Sequence, residues 1–301
     1  MGAFETDLKC IQQREYVNIP LWDKYTGEGL TIFHDDFKGD HSECCADIIK
    51  TILPDARVLQ GTIGFITSHN IVTSCVVSCD ETNDNFIPFE EFIIEHNISL
   101  INNSTDGGDN DSNSAISIYM QGMINKYNLI ITGAAGNFGM TNKYQGAGIM
   151  VGGVSLVNGQ IKKMTSDGEP IDFVMFMGNQ IGSSFAAPFL NGMIGLLRSK
   201  YPSITQKQAY AYMKHQSKDL GDVGDDIKYG WGLPIMKENT KVLMQIGNKI
   251  INVDGMDIEI EQPPMIDRVT DRTLVPVRAM SEAFSIDVKW DNDTRTITLE
   301  D

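Results

Sequence analysis

Three features of the sequence predict an α/β protein, a parallel sheet with helices on both faces, followed by a small α+β unit. From about residue 30 to residue 236, short apolar segments alternate with amphipathic ones. Near residue 241 the pattern changes to short strands and turns around one helix. The length of 301 residues accommodates one large domain and one small one, at about 100 to 200 residues per domain. The expected boundaries are 1–21 for an N-terminal extension, 22–240 for the large domain and 241–301 for the small one.

In chain order, strands are expected at 30–33, 57–60, 98–101, 129–132 and 149–154, with helices at 42–52, 88–96 and 114–127 between them. Pro88 falls in a first helical turn, where proline is tolerated, with Asp84 and Asn85 upstream as caps. Asn158-Gly159, with Val154 and Leu156 before it and Ile161 after, is a two-residue hairpin signal. A helix over 185–200 stops at Tyr201-Pro202, and another starts within 203–208 and runs to about His215. The small unit carries strands around 246 and at 250–253, 258–260, 288–290 and 296–299, with a helix over 277–284. No fixed-period repeat occurs, and 104–114 is the one markedly polar stretch.

Hydrophobic residues at 42% and charged residues at 21% fit a globular chain and exclude a disordered one. No apolar run approaches the ~18 residues that span a bilayer. The net charge of −16 repels phosphate backbones and anionic lipid, so neither nucleic acid nor a membrane is an expected partner. Residues 1–9 carry Glu5 and Asp7 and lack an apolar core, so no signal peptide is expected. The five cysteines, Cys10, Cys44, Cys45, Cys75 and Cys79, are odd in number and give no disulfide framework, which points to a reducing, cytoplasmic location. Cys75 and Cys79 read as two buried thiols flanking a strand, because no second pair has zinc spacing.

The segment Gly182-Ser183-Ser184-Phe185-Ala186-Ala187-Pro188 leads into an apolar helix. A nucleophilic serine needs a fixed, accessible Oγ, and a helix start behind a glycine supplies rigidity and a partial positive field. Ordinary helix initiation has the same local form. The wider sequence distinguishes them: this segment resembles the serine motif of subtilisin-like serine proteases, with Ser183 in place of threonine. The resemblance extends through Asn191-Gly192, Tyr201-Pro202, Asp219-Leu220-Gly221 and Tyr229-Gly230-Trp231-Gly232, and upstream through 151–154, Asn158-Gly159 and Ile171-Asp172-Phe173, covering about 22–236.

The resemblance implies a subtilisin-like sheet and a serine endopeptidase acting through an acyl-enzyme on Ser184. Ala134-Ala135-Gly136-Asn137 resembles the oxyanion segment, which makes Asn137 the side-chain donor and places Ala135 and Gly136 beside substrate. His41, heading an apolar-spaced helix, is similar to the family's general base. Counting from Gly27 and Gly29 puts the catalytic carboxylate at Asp36; a one-residue deletion would move it to Asp35, and only one of two adjacent strand residues can face His41. Residues 98–108 resemble the substrate-pairing segment, with Ser104, Thr105, Asp106 and Gly107 lining the non-primed subsites. Asp109, Asp111 and Asn113 alternate like calcium ligands without completing a calcium loop; no other metal and no prosthetic group is implied.

Two departures stand out. Only four residues separate Asp36 from His41, where the family has a longer connection, and Glu43, Cys44, Cys45 and Asp47 replace small residues beside the histidine. An inactive fold used for binding or assembly is therefore the alternative to an intracellular processing protease. In the last sixty or so residues, Gln262-Pro263-Pro264, 271–278, Ser281-Glu282-Ala283 and Val288-Lys289-Trp290-Asp291 resemble the stalk domain first named from the N-terminal region of copper amine oxidases. That unit is expected to space the protein or bind a protein partner, with Arg272 and Arg278 in ion pairs. No histidine cluster suited to copper accompanies it.

Overall fold

The computed structural model describes residues 25–300 except 37–38, 69–70, 80–85, 106–109, 138–141, 143, 159, 166–170, 178–179, 237–239 and 285. The expected N-terminal extension, 1–21, lies outside the described residues. The chain runs β1 (Thr31–Asp35), α1 (Asp40–Ile52), β2 (Arg57–Ser68), β3 (Ile71–Ser78), β4 (Ile87–Pro88), α2 (Phe89–His96), β5 (Ile98–Asn103), α3 (Asn110–Tyr127), β6 (Ile130–Ala134), β7 (Ile149–Val157), β8 (Gln160–Lys163), β9 (Phe173–Phe176), α4 (Ser183–Lys200) and α5 (Gln206–Gln216). These form a nine-stranded sheet in the order β4-β3-β2-β1-β5-β6-β7-β8, with β9 also on β7. Pairing is parallel across β2, β1, β5, β6, β7 and β9, and antiparallel for β2 with β3, β3 with β4 and β7 with β8.

The central strands are buried along their whole length because helices cover both faces, which is why they read as continuous apolar runs rather than alternating ones. The expected α/β fold is present. Its connecting hairpins are less legible: β2 extends to Ser68 and pairs with β3, beyond the strand expected at 57–60. Gly61 and Gly64 interrupt the apolar run there, and most of the residues are only partly buried. Cys75 is buried, but Cys79 is exposed; it follows the last residue of β3, where the chain leaves the sheet, so the expectation of two buried thiols is corrected.

Helix α1 lies against α4, and two glycines set their spacing. A Cβ on Gly192 would stand 2.7 Å from Ile52 Cδ1, and one on Gly195 2.2 Å from Leu53 Cδ1. Since α1 carries His41 and α4 carries Ser184, this close approach also sets the spacing of two candidate site residues. We expect Gly192→Val to lower stability by about 1 to 3 kcal/mol through overpacking, read from the urea midpoint.

The remaining elements are β10 (Ser217–Lys218), β11 (Leu233–Pro234), β12 (Val242–Leu243), β13 (Ile250–Val253), β14 (Met256–Glu259), β15 (Met265–Asp267), β16 (Arg272–Leu274), α6 (Val277–Ala283), β17 (Asp287–Asp291) and β18 (Thr296–Glu300). The strand expected around 246 is instead a turn between β12 and β13, and the β15–β16 hairpin was not expected at all. Ile251, Val253 and Met256 join the main core, and Gln208 Nε2 on α5 donates to the Asp257 carbonyl at 2.7 Å. Arg278 pairs with Glu282 on one exposed turn of α6, as expected for a surface ion pair.

Candidate active site

Helix α4 begins at Ser183 behind Gly182, whose φ of 139° is a conformation that side chains with a Cβ rarely adopt. Pro188, one turn in, has no N–H, so the carbonyl of Ser184 lacks its usual helical donor. Two side chains from elsewhere supply it: Ser104 Oγ donates at 3.0 Å and the Cys45 thiol at 3.3 Å. The end of β5 and the middle of α1 are thereby tied to the serine. Ser184 itself is buried, and its Oγ donates to the Ser104 carbonyl at 3.1 Å.

His41 sits in the first turn of α1, and its ring meets that of Phe185, the residue after Ser184, edge-on at 5.1 Å between centroids. Its Nδ1–H donates to Asp36 Oδ2 at 2.5 Å. Burial tends to raise the Asp36 pKa, but the contacts and charges of His34 and His41 outweigh it and hold the carboxyl well below the usual carboxylate range. Asp36 follows the end of β1 and is nearly buried, while the His41 side chain is about half exposed.

Asp35 points the other way. It is fully buried and accepts from Ile63 N at 2.9 Å, Asn103 Nδ2 at 3.0 Å and the Tyr144 hydroxyl. Burial, and then Asp35 beside it, pushes the Tyr144 phenol well above its ordinary value. Side chains alternate along a strand, so the two adjacent acids have opposite surroundings: Asp35 serves the core and Asp36 meets the histidine.

Asn137, after β6, accepts the Ser183 N–H at its Oδ1, 3.0 Å away. The Ser183 hydroxyl donates to the Gly136 carbonyl at 2.9 Å and accepts from the Gly136 N–H at 3.2 Å, so Ala135 and Gly136 are buried directly behind the serine turn. Ser104 is buried with its hydroxyl committed to Ser184, and the Thr105 hydroxyl accepts from Asn103 Nδ2 at 2.9 Å. Asp106, Gly107 and Asp109 lie outside the described residues, as do the side chains of Asp111 and Asn113.

His34 was not anticipated. It is fully buried on β1, two residues before Asp36 and so on the same strand face; Asn102 Nδ2 donates to its Nδ1 at 2.9 Å, and its Nε2 lies 3.6 Å from Asp36 Oδ2. The available signal was a histidine directly after the apolar pair Ile32-Phe33, spaced i, i+2 from a candidate acid.

Residues 64–232, more than half of the chain, match the subtilase family, and residues 232–299 match the copper amine oxidase N-terminal domain. The first span contains Asn137 and Ser184 and begins after Asp36 and His41. Over 52 residues the chain is 40% identical to the Neisserial autotransporter lipoprotein NalP of Neisseria meningitidis, a stretch that is 17% of this chain and 5% of that one. A lanthipeptide protease shares 15% identity at a TM-score of 0.54, over 78% of this chain and 94% of that one. Fervidolysin from Fervidobacterium pennivorans, a keratinolytic enzyme related to subtilisin, shares 14% at a TM-score of 0.52, over 74% and 44%. At these identities the solved structures establish the fold, a mixed α/β architecture with a largely parallel central sheet. Among the described residues no helix is long and apolar enough to cross a membrane. An autotransporter relative lends no support to the expected cytoplasmic location.

Proposed function

The chain belongs to the subtilase family, and on that premise we propose that it is a serine endopeptidase with Ser184 as nucleophile, His41 as base, Asp36 as its orienting acid and Asn137 as oxyanion donor. The observation that carries the reading is the 2.5 Å hydrogen bond from His41 Nδ1–H to Asp36, on a ring packed against the residue that follows Ser184. With the proton on Nδ1, Nε2 is the lone-pair nitrogen, which is the form a general base requires.

The reaction follows from that arrangement. Ser184 Oγ turns from the Ser104 carbonyl toward His41 Nε2, gives up its proton there, and attacks a peptide carbonyl. The developing oxyanion meets the N-terminal end of α4 and Asn137 Nδ2, whose Oδ1 is held by Ser183 N–H. His41 then protonates the leaving amine, and a water deprotonated by the same nitrogen hydrolyses the acyl-enzyme. An extended peptide would be held alongside Ser104 and Thr105, past the end of β5. We expect Asn137→Ala to lower kcat by about 10² to 10³ with little change in KM, since the donor acts on charge present only in the transition state.

The division at 22–240 and 241–301, the spacing or docking role of the small unit, a calcium ion near 109–113 and a processing role in a reducing compartment belong to the same proposal. Support for the compartment is limited to the burial of Cys44, Cys45 and Cys75. The test of the enzymatic reading is a fluorophosphonate probe on the folded chain, with the adduct located by mass spectrometry. An adduct on Ser184 alone supports it; absence of any adduct overturns it in favour of a binding module.

A further inference from the structure

Beneath the His41–Asp36 pair, three side chains from two elements converge. The ligand atoms of His34 on β1, Asp36 just after it and Cys45 on α1 lie within 4.8 Å of one another, and all three residues are buried. Among the described residues this is the one such group of potential metal ligands. His34 Nε2 is buried, with no hydrogen-bond partner, and aims at Asp36 Oδ2 from 3.6 Å, beyond hydrogen-bonding distance. A buried ring nitrogen left in that state is costly unless something else occupies the space before it.

We propose that His34, Asp36 and Cys45 form a binding site for a thiophilic divalent cation, of which Zn²⁺ is the best match, and that the bound metal withdraws Asp36 from His41. The donor set is one imidazole, one carboxylate and one thiol, which suits zinc and excludes the oxygen-loving calcium and magnesium. Tetrahedral bonds of the usual lengths place such atoms about 3.2 to 3.7 Å apart. The Nε2–Oδ2 separation of 3.6 Å already falls there, so the thiol has to close by about 1 Å at most.

The surrounding contacts fit the same role. A histidine that binds metal through Nε2 must carry its proton on Nδ1 and needs an acceptor for it. The Asn102 carbonyl stands 3.3 Å from His34 Nδ1 and becomes that acceptor once the Asn102 amide rotates. On binding, the Cys45 proton passes to solvent and its sulfur exchanges the Ser184 carbonyl for the cation, while His34 shifts its proton from Nε2 to Nδ1. Entry is past His41, whose half-exposed side chain lies between the buried carboxylate and solvent. Because the metal takes the same Oδ2 that orients His41, occupancy and a productive histidine exclude each other.

The site itself stands on geometry; its inhibitory consequence rests on the serine-protease reading, and the experiment separates the two. The full chain, reduced and freed of metal, is titrated with Co²⁺ as a spectroscopic probe. One equivalent is expected to give a thiolate-to-cobalt charge-transfer band with visible bands of tetrahedral intensity, displaced by Zn²⁺. Both features should vanish in Cys45→Ala and in His34→Leu and persist in Cys44→Ala, with folding of each variant verified by circular dichroism; Cys45→Val replaces either variant that does not fold. Zn²⁺ should slow fluorophosphonate labelling of Ser184 at least tenfold, reversibly on chelation, and leave the labelling rate of Cys45→Ala at its own zinc-free value. No charge-transfer band, or a band that survives loss of Cys45, overturns the site. A band with unslowed labelling overturns the withdrawal of Asp36. A band in a chain the probe never labels upholds the site and refutes the protease reading instead.

Discussion

Ser184→Ala is expected to abolish probe labelling and to reduce peptide hydrolysis by about 10⁶ in kcat, while the chain stays folded. The size of the loss follows from what disappears. Without Oγ there is no acyl-enzyme, and His41 and Asp36 have nothing to activate, so the triad's contribution is lost as a unit rather than in thirds. Stability should hardly change. The contacts that anchor this turn reach the Ser184 backbone carbonyl, from Ser104 Oγ and the Cys45 thiol, and survive the substitution. Only the Oγ donation to the Ser104 carbonyl is lost, a neutral hydrogen bond of about 1 kcal/mol. Turnover of a peptide library beside a urea melt of the same preparation checks both halves. A variant as active as the parent would remove Ser184 from the mechanism.

The parts of this site that were legible in the sequence are those whose chemistry is written in consecutive residues. The serine turn is one: glycine before it, small residues after it and proline one turn in are each demanded by the local backbone. The parallel core strands are another, because burial on both faces leaves an unbroken apolar run. What could not be read depends on partners far along the chain. Asp35 and Asp36 are chemically identical neighbours, and the choice between them is made by Tyr144, Asn103 and His41. Ser104 is expected to line a subsite; that its hydroxyl also donates to the Ser184 carbonyl, where Pro188 supplies no N–H, depends on a residue eighty positions away. His34 carries no motif at all; its meaning comes from Cys45 on a helix that packs above it.

That pair of acids supports the second large prediction. Asp36→Asn should cut kcat/KM by about 10⁴ in a chain that still folds, whereas Asp35→Ala should cost about 3 kcal/mol or more of stability. An asparagine at 36 offers an amide N–H or a carbonyl to His41 and no longer fixes the proton on Nδ1, so Nε2 is protonated part of the time and cannot act as base. An alanine at 35 strands the buried Ile63 N–H, an Asn103 N–H and the Tyr144 hydroxyl without their acceptor. The pH dependence distinguishes the two further. The Asp36 pKa is lowered in the folded chain, so its contribution to stability is complete above its unfolded value of about 4 and is lost only as pH falls through the lower folded value. Asp36 therefore stays ionised across the neutral range. Urea midpoints and kcat/KM measured for both variants from pH 4 to pH 9 should show Asp36→Asn low in activity and below the parent in midpoint by an amount that barely changes with pH, with Asp35→Ala low in midpoint at every pH. If instead Asp35→Asn lost the activity and Asp36→Asn kept it, the acid of the triad would be Asp35.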